Sequence, residues 1–503
     1  MDPFQPANSQ RPIFQFTLNQ HRSYARSGFA EATGMILGKL FDRFARYSPV
    51  TVMMRGLLEY VFPPSRLDEL FREHAVAQYE DELLFSTVVQ TLALAVHGVR
   101  GSVHTAYLAC REEFSVSVRS LYAKLQGVET QVSRALVRES CERLAPVVKA
   151  LRAELPPLLP GYRVKILDGN HLAATEHRIK ETRALHSAPL PGEALVLLDP
   201  QLRLILDVIP CEDAYAQERS LLDPILPSFE QGDLAIADRN FCCTRFVFGL
   251  RDRNAAFLVR QHASTLKGKR LLGQRRRVGR CRTGMVYEQE MEIRNSAEPD
   301  PERQLLRVRR ITVELDEPTE DGDTVIHLIT DVPSEAADAI AWAELYLCRW
   351  TIENAFQEIE QALQSEINTL CYPKAALLAF CVALTTYNVL STMKAAMRSA
   401  HRDPSLLTEL SGYYLAEEIS ATYWGMMIAI PPSTWTRQFS QASVADIAEC
   451  LRTLAARVDP RRFKKRRRAV RRPPPKRTGG LREKHVSTQR LLAQRHAPAT
   501  TKC

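Results

Sequence analysis

Apolar positions in the first third of this chain recur every three to four residues. LLFSTVVQTLALAVHG (83–98) and TQVSRALVRESCERLAPVVKALRAEL (130–155) each put them on one face of a helix. The spacing predicts a helical domain over residues 29–158, after a polar, Pro-rich stretch 1–28 expected to be disordered. FSVSVRSLYAKLQGVE (114–129) suits half of a helix-turn-helix as well as an ordinary helical domain. Pro156, Pro157 and Pro160 then break the pattern.

After Pro160 the apolar runs shorten to strand length. Val164–Leu167 stops at Asp168. Ala194–Leu198 and Leu202–Ile209 flank Asp199-Pro200-Gln201, a hairpin turn. A helix is expected over Tyr215–Phe229, a strand at Leu234–Ala237 stopping at Asp238, a helix near Thr244–Arg251, and a strand at Ala256–Arg260. This order reads as an α/β core whose mixed sheet starts with antiparallel strands and continues through helical connections.

Residues 262–325 interrupt the core with alternating stretches such as LRVRRITVEL and read as a β-rich insertion. Its first part, KGKRLLGQRRRVGRCR, holds eight cations and no acid, which makes Arg275, Arg276 and Arg277 candidate phosphate contacts. The core resumes at Ile326–Thr330, and a long helix capped by Ser334 is expected next. Helices continue through 396–460. Ala375–Met393 has no charge for nineteen residues, but five Ser, Thr and Asn side chains favour a buried core helix over a membrane span.

Charge changes the picture only at the end of the chain. RRFKKRRRAVRRPPPKR (461–477) carries eleven Lys and Arg and no acid; taking these from the net charge of +9 leaves −2. Residues 461–503 are therefore expected to be a disordered basic tail that binds polyanions, with Lys464, Lys465 and Arg466 as DNA contacts. Eleven scattered cysteines without a Cys-x-x-Cys pair fit reduced thiols in a cytosolic compartment and argue against a structural zinc site. The N-terminus has no apolar run of signal-peptide type.

The chemistry centres on ELYLCRWTIENAFQEIE (344–360). Leu345, Cys348, Ile352, Ala355, Phe356, Ile359 and Leu363 form an apolar stripe, and Tyr346, Arg349, Glu353 and Glu360 lie along its border. Arg349 and Glu353 are at i and i+4, so spacing alone describes an ordinary intrahelical ion pair. Five acids end or interrupt apolar runs. The hairpin turn accounts for Asp199, Asp207 sits mid-run, and Asp331 precedes a helix. Asp168 in LDGNH and Asp238 in IADRNF stand where strands give way to loops.

YLCRWTIENAFQEIE resembles the signature Y-x-x-R-x-x-x-E-x-x-x-x-x-x-K of DDE transposases of the insertion-sequence-four family. It matches at Tyr346, Arg349 and Glu353. LDGNH and IADRNF resemble the segments that carry that family's two other acids, and the likeness extends over residues 160–395. The resemblance implies a ribonuclease-H-like catalytic core over 159–395, flanked by helical N- and C-terminal parts. It implies Asp168, Asp238 and Glu353 as catalytic acids holding two Mg²⁺ ions, with Mn²⁺ tolerated, since hard cations take oxygen ligands and paired ions serve in-line displacement at phosphorus. Arg349 and Tyr346 become DNA phosphate contacts, and His171 a spectator or supporting group.

Expected partners are the element's inverted-repeat ends and target DNA, a second copy of the chain in a synaptic complex, and no membrane. The expected location is the bacterial cytosol and nucleoid. The family's lysine position falls at Glu360, a departure in charge sign. Trp occurs only at 342, 350, 424 and 435, outside the insertion, which leaves the hairpin-forming cleavage route of some family members without its stacking Trp unless Phe257 or Tyr287 substitutes. A metal-dependent nuclease on the same core, or a transposase-derived protein that only binds DNA, fits the same residues.

Overall fold

The computed structural model describes residues 39–78, 82–172, 179–183, 189–262, 264–266, 268–319, 322–367, 369–466 and 486–496. The stretch 1–28 and most of the basic tail lie outside these.

Among the described residues there are eleven strands: β1 (Arg163–His171), β2 (Pro189–Leu190), β3 (Glu193–Asp199), β4 (Leu204–Cys211), β5 (Asp233–Ala237), β6 (Ala256–Arg260), β7 (Lys269–Cys281), β8 (Gly284–Arg294), β9 (Leu305–Leu315), β10 (Val325–Thr330) and β11 (Val486–Ser487). Nine of them form one sheet in the order β4-β3-β1-β5-β6-β10-β9-β8-β7. Only β1–β5 and β5–β6 pair in parallel; every other pairing in that sheet is antiparallel.

The period of two along each strand divides the core. Ile166, Val196, Leu234 and Ile236 face the helices Thr130–Ala150 and Pro373–His401. Leu167, Leu197, Ala235 and Ala237 face Phe229, Phe241 and Phe246 on the other side. Pro373–His401 is the one helix among the described residues long and apolar enough to cross a membrane, and its apolar window is wholly buried in the protein.

That helix also protects the sheet edge. β4 is the outermost strand, and Asn388 Oδ1 accepts from Ile205 N at 2.7 Å. Its Nδ2 donates to Ile205 O and to Ser140 Oγ, both at 2.9 Å. One buried amide thus satisfies both outward-facing backbone groups of an edge residue.

Asp199 makes the expected turn, accepting from Gln201 N and Leu202 N. Four expectations change. Residues 215–229 form a 3-10 turn, the short helix Leu222–Ile225 and a second 3-10 turn, because Pro224 and Pro227 prevent a continuous helix. The helix after β10 starts at Ala339 and is capped by Asp338, which accepts from Ala341 N at 2.8 Å, in place of Ser334. The signature stretch is not one helix: Leu347–Arg349 is a 3-10 turn between the helices Ala339–Tyr346 and Trp350–Ala362. The tail has structure at both described ends. Phe463 is buried and its carbonyl accepts from Ser411 N at 2.8 Å, while Ser487 and Arg490 hold Asp213.

Candidate active site

β1 and β5 run side by side in parallel, and their last paired residues are Leu167 and Ala237. Asp168 and Asp238 come next on the two strands, about one strand spacing (~4.8 Å) apart along the backbone. Both continue the rows of Ile166 and Ile236, so both face the side covered by the helix Trp350–Ala362, which packs on β1. β1 does not stop at Asp168. It continues to His171, paired only with β3. Beyond β5 the chain turns into a 3-10 segment, with Asp238 Oδ1 accepting from Asn240 N at 2.8 Å.

Ile352, Ala355 and Ile359 bury the inner face of the Trp350–Ala362 helix. That packing sets its first turn over the strand ends. Arg349 Nη1 donates to Asp168 Oδ2 at 3.1 Å, and Nη2 lies 2.5 Å from Glu353 Oε1. Asp168 and Arg349 are nearly buried, whereas the Glu353 side chain is 37% exposed. Arg349 Nε is buried without a hydrogen-bond partner among the described residues. Sequence spacing described an i,i+4 pair; the fold adds a third member 181 residues away.

Burial pushes the Asp168 carboxyl up to about 7, Arg349 opposes this, and the carboxylates of Asp238, Glu218 and Glu353 add to the rise. Burial also raises Asp238. Tyr346 is buried and its phenol is raised by desolvation, with Arg349, Asp238, Arg260 and Asp168 as its charged surroundings. It therefore lies among the acids.

Sequence reasoning missed Glu218. Its Oε2 accepts from Asn240 Nδ2 at 3.0 Å, and its Oε1 fills the space where a side chain on residue 169 would begin, 2.0 Å from an ideal Cβ. Gly169 in LDGNH was the available signal. Trp350 is 51% exposed, and the Arg349 guanidinium lies 5.3 Å from its ring centre.

The remaining candidates are dispersed. His171 Nε2 sits 3.0 Å from Glu193. Asp207 is held by Arg134 at 2.6 and 2.8 Å, and Asp331 caps Phe257 N at 3.0 Å. Arg275, Arg276 and Arg277 lie on β7, the far edge strand. There Arg275 pairs with Glu314 and stacks over Tyr287, Arg276 pairs with Glu288, and Arg277 donates to Met285 Sδ. Lys464 pairs with Glu409, while Lys465 and Arg466 line a cavity beside the Trp350–Ala362 helix.

Asp168 and Asp238 fit a divalent cation. They are hard oxygen donors on one face whose clustered charge a cation relieves. Among the described residues no three His, Cys, Asp or Glu side chains stand close enough to share an ion, and Arg349 occupies the space between Asp168 and Glu353.

Residues 159–389, a little under half of the chain, match the family model described as the transposase DDE domain. The matched segment contains Asp168, Asp238 and Glu353, and the match supports a transposase-type DDE domain in this part of the chain. No curated protein matches the chain. Among solved structures, a cryo-EM structure of the piggyBac transposase synaptic complex with hairpin DNA is similar at 10% identity, over 80% of this chain and 84% of that chain, with a TM-score of 0.37.

Proposed function

We propose that this protein is a cut-and-paste transposase of the insertion-sequence-four type, cleaving DNA at element ends and joining the freed 3′-hydroxyl to target DNA. The observation that carries this is the convergence of Asp168 and Asp238, at adjacent parallel strand ends, beneath a helix preceded by the 3-10 turn whose Arg349 touches Asp168 and Glu353. The strand order β4-β3-β1-β5-β6 supports a ribonuclease-H-like core, with β10 and the insertion strands extending it.

Asp168 and Asp238 would hold Mg²⁺ (or Mn²⁺), with Glu353 completing the set of two ions once it turns from Arg349. Bound metal supplies activation of the attacking oxygen and charge stabilisation on the leaving oxygen. The chain supplies the rest. Arg349, released from the carboxylates, presents its fork to a phosphate. Tyr346, kept neutral by burial, donates to the phosphate beside the cut. Trp350 offers an exposed ring beside both. The working unit is a dimer on double-stranded DNA, in the bacterial cytosol.

A strand-transfer assay with the element's own ends and Mg²⁺ tests this. Joined products are expected from the wild type, and none from Asp168→Asn, Asp238→Asn or Glu353→Gln with DNA binding retained. Cleavage without joining identifies a nuclease, and binding alone a DNA-binding derivative.

A further inference from the structure

A second charged site lies across the Trp350–Ala362 helix from the acids. It is a cavity of about 560 Å³ bounded by that helix, the β3–β4 turn, the helix Pro373–His401 and the start of the basic tail. Five cations line it, Arg203, Lys394, Arg398, Lys465 and Arg466, against one carboxylate, Glu358. Glu358 is committed to Lys394. Arg398 is turned to the Ala153 carbonyl at 2.9 Å. Arg203 and Lys465 have no acidic partner among the described residues. Four positive charges therefore face one cavity without compensation, and burial with the charge of Arg203 pulls the Arg398 guanidinium down to about 10. Lys465 and Arg466 stand exposed at the rim and Arg203 is half-buried, so the cluster is open to an anion from solvent.

Two features show that the cluster is built into the fold. Arg203 has φ +61° in the β3–β4 turn, a conformation glycine or asparagine adopts with less strain. The tail enters the cavity rim in a fixed position. Lys465 N donates to Glu409 O at 2.7 Å, and Leu410 and Lys464 form a β-bridge. Six more Lys and Arg follow in the sequence before residue 478. The cavity is next to the acids: Gln357 lines both it and the smaller cleft of about 340 Å³ that holds Glu353 and Glu360.

We infer that this cavity is a phosphate site which grips the DNA backbone one helix width from the catalytic acids, supplying the cations that Glu360 does not. The inference rests on the transposase reading for its ligand, DNA, and on the cavity alone for its phosphate chemistry. Ser391, Ser411 and the Tyr387 hydroxyl add neutral donors to the same wall.

The test is the salt dependence of binding to a fluorescent 30-base-pair duplex of arbitrary sequence, followed by anisotropy with the full chain. Each lost phosphate contact lowers the slope of log affinity against log salt by about 0.9. Arg203→Gln with Lys465→Gln is expected to lower it by about 2 and to weaken binding roughly tenfold at 0.1 M salt. Arg203→Lys with Lys465→Arg should restore both, and Arg437→Gln, exposed elsewhere, should change neither by more than one contact. An unchanged slope in the double Gln variant overturns the proposal, as does a loss that the charge-retaining variant fails to restore. Pyrophosphate is titrated in parallel. If it binds the wild type and not the double Gln variant while the DNA slope stays put, the occupant is a small phosphate compound and the DNA assignment falls. Mg²⁺-dependent plasmid nicking by the wild type is scored separately, so failure of the acids leaves the slope result standing.

Discussion

Arg349 and Asp168 meet at 3.1 Å although 181 residues separate them, and the same guanidinium reaches Glu353 at 2.5 Å. One cation thus holds two of the three proposed catalytic carboxylates. It also opposes the burial that pushes Asp168 up to about 7. Holding a divalent cation needs that carboxyl ionised. Arg349→Gln is therefore expected to move Asp168 further up, reducing Mg²⁺-dependent nicking at pH 7 at least tenfold, with partial recovery toward pH 9. A rate profile that keeps its wild-type pH dependence would rule this role out.

Because the Asp168 carboxyl is raised in the fold, its ionised form costs stability. The cost is absent below the ordinary carboxylate range and grows as pH climbs from 3.8 through about 7. Asp168→Asn should raise the melting temperature by a few degrees at pH 8. Mg²⁺ at 10 mM should raise that of the wild type and leave the variant unmoved. Scanning fluorimetry decides it: equal Mg²⁺ responses in the two proteins would remove Asp168 from the metal site.

Asn388 makes three hydrogen bonds at full burial, two of them to Ile205 on the sheet edge. Asn388→Ala leaves a buried N–H and a buried C=O without partners, each costing about 1–3 kcal/mol. Chemical denaturation should show a loss of about 3 kcal/mol. A change below 0.5 kcal/mol would mean that water replaces the amide.

His97 is wholly buried, and desolvation pulls its imidazole down to about 4. Its Nε2 lies 3.0 Å from Thr386 Oγ1, which donates to Val382 O, so Nε2 carries the proton and Nδ1 is left without a partner. A histidine depressed in the fold stabilises above its unfolded value, 6.5, and that contribution is lost as pH falls toward 4. About 3 kcal/mol should disappear over this window. His97→Gln should flatten that part of the stability–pH curve, and an unchanged acid limb would refute the assignment.

Much of the framework around the candidate site was legible because strands and helices display their buried faces periodically. Val164–Leu167 and Leu234–Ala237 were readable as strands, and Ile352, Ala355 and Ile359 as the packed face of a helix. What the residues could not reveal was pairing. Nothing local says that β1 lies beside β5, so Asp168 and Asp238 became neighbours only in the fold. Glu218 was invisible for a related reason. Its segment has a helical pattern that Pro224 and Pro227 break, and its link to Asn240 crosses between two turns. The basic cavity draws Arg203, Arg398 and Lys465 from three distant segments, a grouping no periodicity records.

The insertion is joined to the acids by more than the sheet. Gly279 on β7 lets Ile340 come within 2.8 Å of where a side chain would start. Arg282 binds Glu344 through both backbone and side chain, and Arg309 holds the Ala337 carbonyl at 2.8 Å. These contacts grip the helix Ala339–Tyr346, which runs into the 3-10 turn delivering Arg349. The arginine-studded hairpin is in effect a handle on the segment that carries Arg349: one short rod of backbone ties the far edge of the sheet to the guanidinium between Asp168 and Glu353.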